Sequence, residues 1–356
     1  MKIIQLIDSL EIGGAEKMAV NYANALSEKI EFSGLVVTRK EGKLKEQLLD
    51  SVSYLFLKRK RLLDWCAIFR LKKFIKHNKV THIQAHSSSF FTAVLVKFLY
   101  FKVKIIWHDH NGYREFLNFR NNIAIKIASL FFEEIIVVNY QLLQWAKRNL
   151  FCKKILYLPN FTVLEINQYK ITILKGIHGN RIICVANLRF PKNHFFLLDI
   201  ANSLKEKYPD WTFHLLGRVF KDEYSDSLNL KIKELQLENI VFLYGAVSDV
   251  QSCIEQADIA IITSQSEGLP VVLLEYGLLE KPIVSTSVGE IPKIITHGFN
   301  GFLSEKTDVI GFASNLSYLI ENEEQRKYLA ANLKNTIEKN HGKTEIITQF
   351  LNWISH

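Results

Sequence analysis

Glu267 and Glu275 stand with seven residues between them in the segment SQSEGLPVVLLEYG (264–277), directly after the apolar run DIAIIT. Glu267 falls in a loop and Glu275 about a turn and a half inside the helix that should follow. At ~1.5 Å of rise per residue the two carboxylates could hold different hydroxyl-bearing parts of one extended ligand. Gly268 lets backbone approach a ligand closely, and Pro270 suits the first position of a helix, whose unpaired N–H groups and partial positive charge favour a phosphate. A sugar nucleotide has that shape. Two cations, Arg189 and Lys192, follow the apolar run RIICVANL and precede a helical segment near Asn193. Cations there can neutralise charge developing on a leaving diphosphate.

A second constellation closes the run KIIW, where Trp107 is followed by His108, Asp109 and His110. Period-two alternation puts His108 and His110 on one side of an extended segment. A histidine there can donate to a hydroxyl or assist a developing charge, and either of the two fits that role. His86, at the end of THIQAH, reads as structural. The four cysteines, Cys66, Cys152, Cys184 and Cys253, lie far apart without a C-x-x-C pair. Neither a zinc site nor a disulfide framework is implied, and a reducing, cytoplasmic compartment fits best. No D-x-D motif or metal-spaced cluster of His, Asp and Glu is recognisable, so no metal site is expected.

These residues need a scaffold that brings strand ends together. The chain has 356 residues, 48% hydrophobic, with 16 Gly and 6 Pro. At ~150 residues per domain that suggests two cores and excludes a fibrous or linker-like protein. Strand, turn and helix signals alternate, which argues for α/β layers with parallel sheets. In the first half, strands are expected at KIIQLIDSL, SGLVVT, THIQAH, KIIWHDH and EEIIVVN, with a turn at Gly13 and Gly14 and a helix over AEKMAVNYANALSE. In the second, they are expected at RIICVANL, WTFHLLG (ending in Gly217), NIVFLYG, DIAIITS, KPIVSTS and GFL. The predicted organisation is a domain over 1–162, a linker at 163–178, a second domain over 179–340 and a terminal helix in 341–356. Two doubly wound domains facing a crevice would bring both sets of strand C-terminal ends to the ligand.

In order and spacing the motifs resemble those of the retaining, family-4-like glycosyltransferases (glycosyl transferases group 1) of GT-B fold. Glu267 and Glu275 resemble that family's E-x7-E motif. Gly13, Gly14, Ala15 and Glu16 resemble its GGAE turn, Lys281–Thr286 with Gly289, Glu290 and Ile291 the strand and turn after the E-x7-E helix, and Asn300–Leu303 its N-G-x-L. The resemblance runs from about residue 2 to beyond 303 and is strongest in the C-terminal half. It implies two Rossmann-like domains and transfer of a hexose-type sugar from a nucleotide sugar to an acceptor hydroxyl with retained configuration and without a metal. It further implies that Glu267 contacts hydroxyls of the transferred sugar, that Glu275 contacts the nucleotide ribose, and that Gly268, Leu269 and Pro270 present backbone to the donor. Lys192 matches the family's diphosphate-binding lysine. The usual Gly-Arg pair reads Ala186 and Asn187 here, with Arg189 two residues later. Gly13, Gly14 and Gly217 join the expected donor contacts, His108 or His110 takes the place of the family's functional histidine, and a UDP-sugar is favoured over a GDP-sugar.

Residues 1–160 carry 26 basic and 13 acidic residues, a net +13, against 19 and 23 in the remainder, a net −4. One domain is therefore expected to face an anionic partner. The densest run, KRKRLLDWCAIFRLKKFIKHNK (58–79), places Leu62, Trp65, Ile68, Phe69 and Ile75 roughly at helical spacing. Such a helix either packs its stripe on a sheet or lies in a membrane interface. With no apolar run long enough to span a bilayer, the expectation is a cytoplasmic enzyme that docks peripherally on an anionic membrane and acts on a saccharide or lipid-linked saccharide in cell-envelope polysaccharide synthesis. A nicotinamide oxidoreductase is disfavoured, because Gly13 and Gly14 do not form G-x-G-x-x-G. A nucleic-acid-binding protein lacks an accompanying motif, and no nucleic-acid partner is expected. An epimerase or hydrolase acting on sugar nucleotides shares the architecture, and fold does not separate these chemistries.

Overall fold

Short runs of Ile, Leu and Val bounded by polar residues pair as parallel strands buried on both faces, because each crossover lays a helix on the sheet. The computed structural model describes residues 1–110, 119–164, 171–220 and 222–355. Residues 111–118 of the predicted first domain, 165–170 of the predicted linker, 221 of the second domain and 356 of the tail lie outside the described residues. The chain divides into two units, Met1–Phe161 with Lys343–His356, and Thr162–Gly342.

Unit 1 contains β1 (Lys2–Ser9), α1 (Gly14–Ser27), β2 (Phe32–Lys40), β3 (Ser53–Phe56), α2 (Trp65–Asn78), β4 (His82–His86), α3 (Phe90–Leu99), β5 (Lys104–Asp109), α4 (Phe119–Ala128), β6 (Glu134–Val137), α5 (Tyr140–Asn149) and β7 (Ile155–Tyr157). Its seven parallel strands run β3-β2-β1-β4-β5-β6-β7, so the order reverses between β1 and β4. Neither β3 nor β7 is among the expected strands. Each is short, half-buried and at an edge, where alternation has too few residues to register. One core packs Leu6, Ile83, Ile105 and Trp107 against α2 and α3, and another packs Ile7, Leu35 and Val37 against α1. Burying each such aliphatic side chain stabilises the fold by about 1.5–3 kcal/mol.

Unit 2 contains β8 (Arg181–Val185), α6 (His194–Leu204), β9 (Thr212–Leu216), α7 (Glu223–Glu234), β10 (Val241–Gly245), α8 (Val250–Gln256), β11 (Ile259–Ile262), α9 (Val271–Leu278), β12 (Ile283–Thr286), α10 (Ile291–Ile294), β13 (Phe302–Ser304), α11 (Val309–Glu321) and α12 (Glu323–His341). Its six parallel strands run β10-β9-β8-β11-β12-β13, reversing between β8 and β11. The final helix, α13 (Lys343–Ser355), belongs to unit 1. There Phe350 meets Tyr22 of α1 edge-on with centroids 5.4 Å apart, and Lys343 reaches Glu28 at 3.0 Å. Both sheets are doubly wound and Rossmann-like, and open α/β sheets bind ligands where the strand order reverses.

The basic run at 58–79 is helical only from Trp65, where Asp64 caps α2 by accepting from the Ala67 N–H. Its apolar residues do not form the single stripe expected. Ile68 and Ile75 are buried with Ala67 and Leu71, whereas Leu62, Leu63, Trp65 and Phe69 are more than half exposed. Leu62 and Leu63 precede the helix and so do not follow its periodicity. No helix among the described residues is long and apolar enough to cross a membrane.

Candidate active site

The loop after β11 begins at the strand-order reversal of unit 2, and its neighbours shape it from both sides. Toward β8, Gln265 N–H donates to the Pro191 carbonyl at 2.9 Å and the Thr263 hydroxyl to the Lys192 carbonyl at 3.1 Å. Toward β12, the Thr286 hydroxyl donates to the Ser264 carbonyl at 2.7 Å and Glu290 N–H to the Gly268 carbonyl at 3.0 Å. Gly289 has a φ of +59°, and a Cβ there would collide with the Glu267 carbonyl. Only glycine combines that conformation with that approach. Gly217 closes the other flank, where a Cβ would strike the Ala186 carbonyl.

Inside this frame Lys192 and Glu267 form an ion pair. Lys192 Nζ lies 2.5 Å from Glu267 Oε1, the side chains are only 17% and 10% exposed, and the Ser264 hydroxyl donates to the same oxygen at 2.6 Å. A pair so nearly dry holds its geometry through mutual attraction, and breaking one partner leaves the other uncompensated. Sequence reading named Ser264, Thr286 and Gly289 within its motifs but assigned them no part in holding Glu267, although Ser264 stands three residues before it in the same loop.

Leu269 and Pro270 are buried, and Pro270 is the residue before α9 rather than its first position, with a φ of −68° that suits either place. Among the described residues no side chain caps α9, so its N-terminus offers backbone N–H groups. Glu275 lies half-buried within α9, and Tyr276 ties that helix to β8 by accepting from Val185 N–H at 2.8 Å. Arg189 is exposed on extended backbone, while Asn187 accepts from Arg218 N–H at 2.9 Å. Nearby Cys184 is no nucleophile, because burial pushes its thiol up to about 12.

In unit 1 the histidines meet at the ends of β4 and β5, where His86 pairs with His108 in register. The ring centroids of His108 and His110 lie 4.0 Å apart, and His86 stacks on His110 at 5.1 Å. His86 does more than brace the strand: its Nε2 lies 2.7 Å from Gln5 Oε1 and its Nδ1 2.8 Å from His110 Nε2. With the Gln5 oxygen accepting, His86 carries its proton on Nε2 and accepts at Nδ1 from His110 Nε2–H. His110 Nδ1 is then a lone pair without a partner among the described residues. Gln84 contacts His108 Nδ1 at 2.9 Å. His108 is completely buried, and His110 is half-buried with its Nδ1 enclosed.

Burial lowers the pKa of all three, to about 3 for His110, and neighbouring histidines lower those of His86 and His108 further, so the cluster is neutral. The three offer nitrogen atoms within 4.8 Å of one another, the one group among the described residues able to hold a metal ion. The expectation of no such cluster rested on sequence spacing, which cannot register residues that meet across neighbouring strands. Hydrogen bonds to Gln5, to Gln84 and between histidines engage four of the six ring nitrogens and fix how the rings are oriented. Gly13 is extended and caps α1 without a side chain, and Gly14 opens that helix exposed to solvent.

Residues 173–336 match the family model described as Glycosyl transferases group 1, and residues 12–165 match Glycosyltransferase Family 4. The chain is a group 1 glycosyltransferase. Relatives of this glycosyltransferase include the capsular polysaccharide biosynthesis glycosyltransferase CapH of Staphylococcus aureus, 22% identical over 97% of both chains. Another relative, in Campylobacter jejuni, is an alpha-1,4-N-acetyl-D-galactosaminyltransferase named for a diNAcBac-PP-undecaprenol-linked GalNAc saccharide, 25% identical over 94% of this chain and 93% of its own. The fold is GT-B, shared with Anabaena HepE, crystallised with UDP and glucose, at a TM-score of 0.80 and 21% identity over 100% and 99% of the chains.

Proposed function

We propose that this glycosyltransferase moves a hexose-type sugar from a nucleotide sugar, a UDP-sugar in preference to a GDP-sugar, to an acceptor hydroxyl with retention of anomeric configuration. The nearly buried Lys192–Glu267 pair beside the uncapped N-terminus of α9 carries this reading. Glu267 receives hydroxyls of the transferred sugar, Glu275 the ribose, and Gly268, Leu269 and Pro270 present backbone to the donor, with Gly13, Gly14 and Gly217 completing the contacts. The anomeric C–O bond to the diphosphate breaks as the bond to the acceptor oxygen forms on the same face, and the acceptor proton passes to the departing phosphate. Lys192, Arg189 and the α9 amides stabilise the charge that develops there, so the transfer draws on no metal. His110, neutral and with its Nδ1 unpartnered among the described residues, accepts from a sugar hydroxyl, and His108 backs it.

The acceptor is a lipid-linked saccharide in cell-envelope polysaccharide synthesis, a reading supported by the names of the Campylobacter and Staphylococcus relatives. The enzyme works in the cytoplasm at the membrane's inner face, where exposed Leu62, Leu63, Trp65 and Phe69 among lysines and arginines meet anionic lipid. A thermal-shift panel of UDP, GDP, ADP, CMP and their sugar conjugates tests the donor site. One nucleotide should raise the melting temperature selectively, less in Glu275→Ala and Lys192→Ala. No shift with any nucleotide, acceptor and vesicles present, would overturn the reading.

A further inference from the structure

Away from the histidine cluster, unit 1 buries a cation, Arg59, whose donors are largely unspent among the described residues. The Arg59 side chain, just after β3, is 2% exposed, and its Nη2 lies 3.3 Å from Asp8 Oδ1. Its Nε and Nη1 have no partner among the described residues. Asp8 is already engaged, accepting from the Thr38 hydroxyl and, at 2.7 Å, from the Ser88 hydroxyl. A guanidinium cannot shed its charge, so burial without partners is a standing cost. Asp8 occupies a single Nη2 hydrogen. Whichever one it takes, either the Nη1–Nη2 edge or the Nε–Nη2 edge keeps both donors, a fork that matches two oxygens of an oxyanion.

The surroundings favour a multiply charged anion. Asp8, Thr38, Arg59 and Ser88 stand at or just beyond the C-terminal ends of β1, β2, β3 and β4, the edge at which such sheets bind ligands. Arg39, Lys58, Lys60 and Arg61 are exposed around them. Burial lowers the Arg59 pKa, Asp8 opposes that, the Arg39 guanidinium adds to it, and Asp64 opposes it in turn. Asp64 is committed to the Lys60 and Ala67 N–H groups. A carboxylate would balance Arg59 alone and leave the rim uncompensated.

We propose that Arg59, rimmed by Arg39, Lys58, Lys60 and Arg61, binds a phosphate or diphosphate group, and that in turnover this group belongs to the acceptor. The assignment rests on the reading that unit 1 handles the acceptor, and it names the acceptor's charged end. The test adds inorganic pyrophosphate, farnesyl diphosphate or farnesol to the full-length protein saturated with UDP, so that any further thermal shift reports a second site. Pyrophosphate and farnesyl diphosphate should raise the melting temperature, and farnesol should not. Arg59→Gln should weaken diphosphate binding about tenfold or more while the UDP shift persists, and Arg59→Lys, which keeps the charge without the fork, should fall between. Tighter binding of farnesyl diphosphate than of pyrophosphate assigns the site to the acceptor's lipid-borne group, whereas equal binding keeps the anion site but overturns its assignment to the acceptor. No second shift, or an unchanged one in both variants, overturns it. If UDP itself produces no shift, the donor reading fails separately, and the same comparison in Lys192→Ala without UDP still decides the Arg59 site.

Discussion

Two sheets of one architecture, each reversing its strand order at the third step, treat the polar groups at that point in opposite ways. In unit 2, Glu267 is matched by Lys192 and Ser264, and the loop that carries it is bonded to the segments on both sides. In unit 1, atoms of Gln5, Gln84, Arg59, His108 and His110 stay buried without partners among the described residues, whereas beside the unit 2 loop His194 Nε2 is left so. Each such atom costs about 1–3 kcal/mol. The difference teaches that unit 2 holds the Glu267 loop assembled by internal charge balance. Unit 1 keeps neutral imidazoles and an unspent guanidinium that a ligand would complete. The net charges of the two halves, +13 and −4, point the same way.

The largest expected effect breaks the balance in unit 2. Lys192→Ala should lower kcat about 10²–10³-fold, the usual loss for one group stabilising transition-state charge, and a Lys192→Ala/Glu267→Gln double variant should fall well short of the product of the single losses. Full additivity in steady-state kinetics would mean that the pair does not act as a unit.

Acid should act more strongly on unit 1. Burial holds His82 at about 4, His110 at about 3, and His86 and His108 well below their ordinary value, whereas unit 2 has His194 at about 4 and His214 at about 3. Below about pH 6.5 the unfolded chain takes up protons that the folded one refuses, so stability is fully present above that pH and falls as pH drops toward 3–4. Each such histidine contributes up to about 2 kcal/mol between pH 7 and 5. Hydrogen exchange at the two pH values should therefore show unit 1 losing more protection, and equal losses would erase the contrast.

Gly289→Ala should destabilise unit 2 by about 1–3 kcal/mol in urea unfolding and displace Glu267, because the new Cβ meets the Glu267 carbonyl at positive φ. An unchanged midpoint would show that the loop is not rigidly framed. The smallest effect concerns the basic face. Trp65→Ser with Phe69→Ser should reduce sedimentation with anionic vesicles at low salt several-fold without altering the UDP shift, since each exposed aromatic adds apolar area to the contact. Equal sedimentation would confine these side chains to ordinary surface.

The sequence by itself determined the fold class, most strands and the place of the loop after β11, because apolar runs of four to eight residues and glycine and proline punctuation are local signals. Glu267, Gly268 and Glu275 were legible since one strand, one loop and one helix hold them in a single segment. Tertiary structure alone decided what those residues touch. Lys192 reaches Glu267 across 75 residues, His86 bonds to Gln5 across 81, and Arg59 meets Asp8 across 51. Parallel pairing through crossovers sets residues far apart in sequence side by side, and no spacing rule anticipates which of them meet. The same physics split the residues expected as one apolar stripe around α2, since the sheet can cover only the inward side of the helix and leaves Trp65 and Phe69 to solvent.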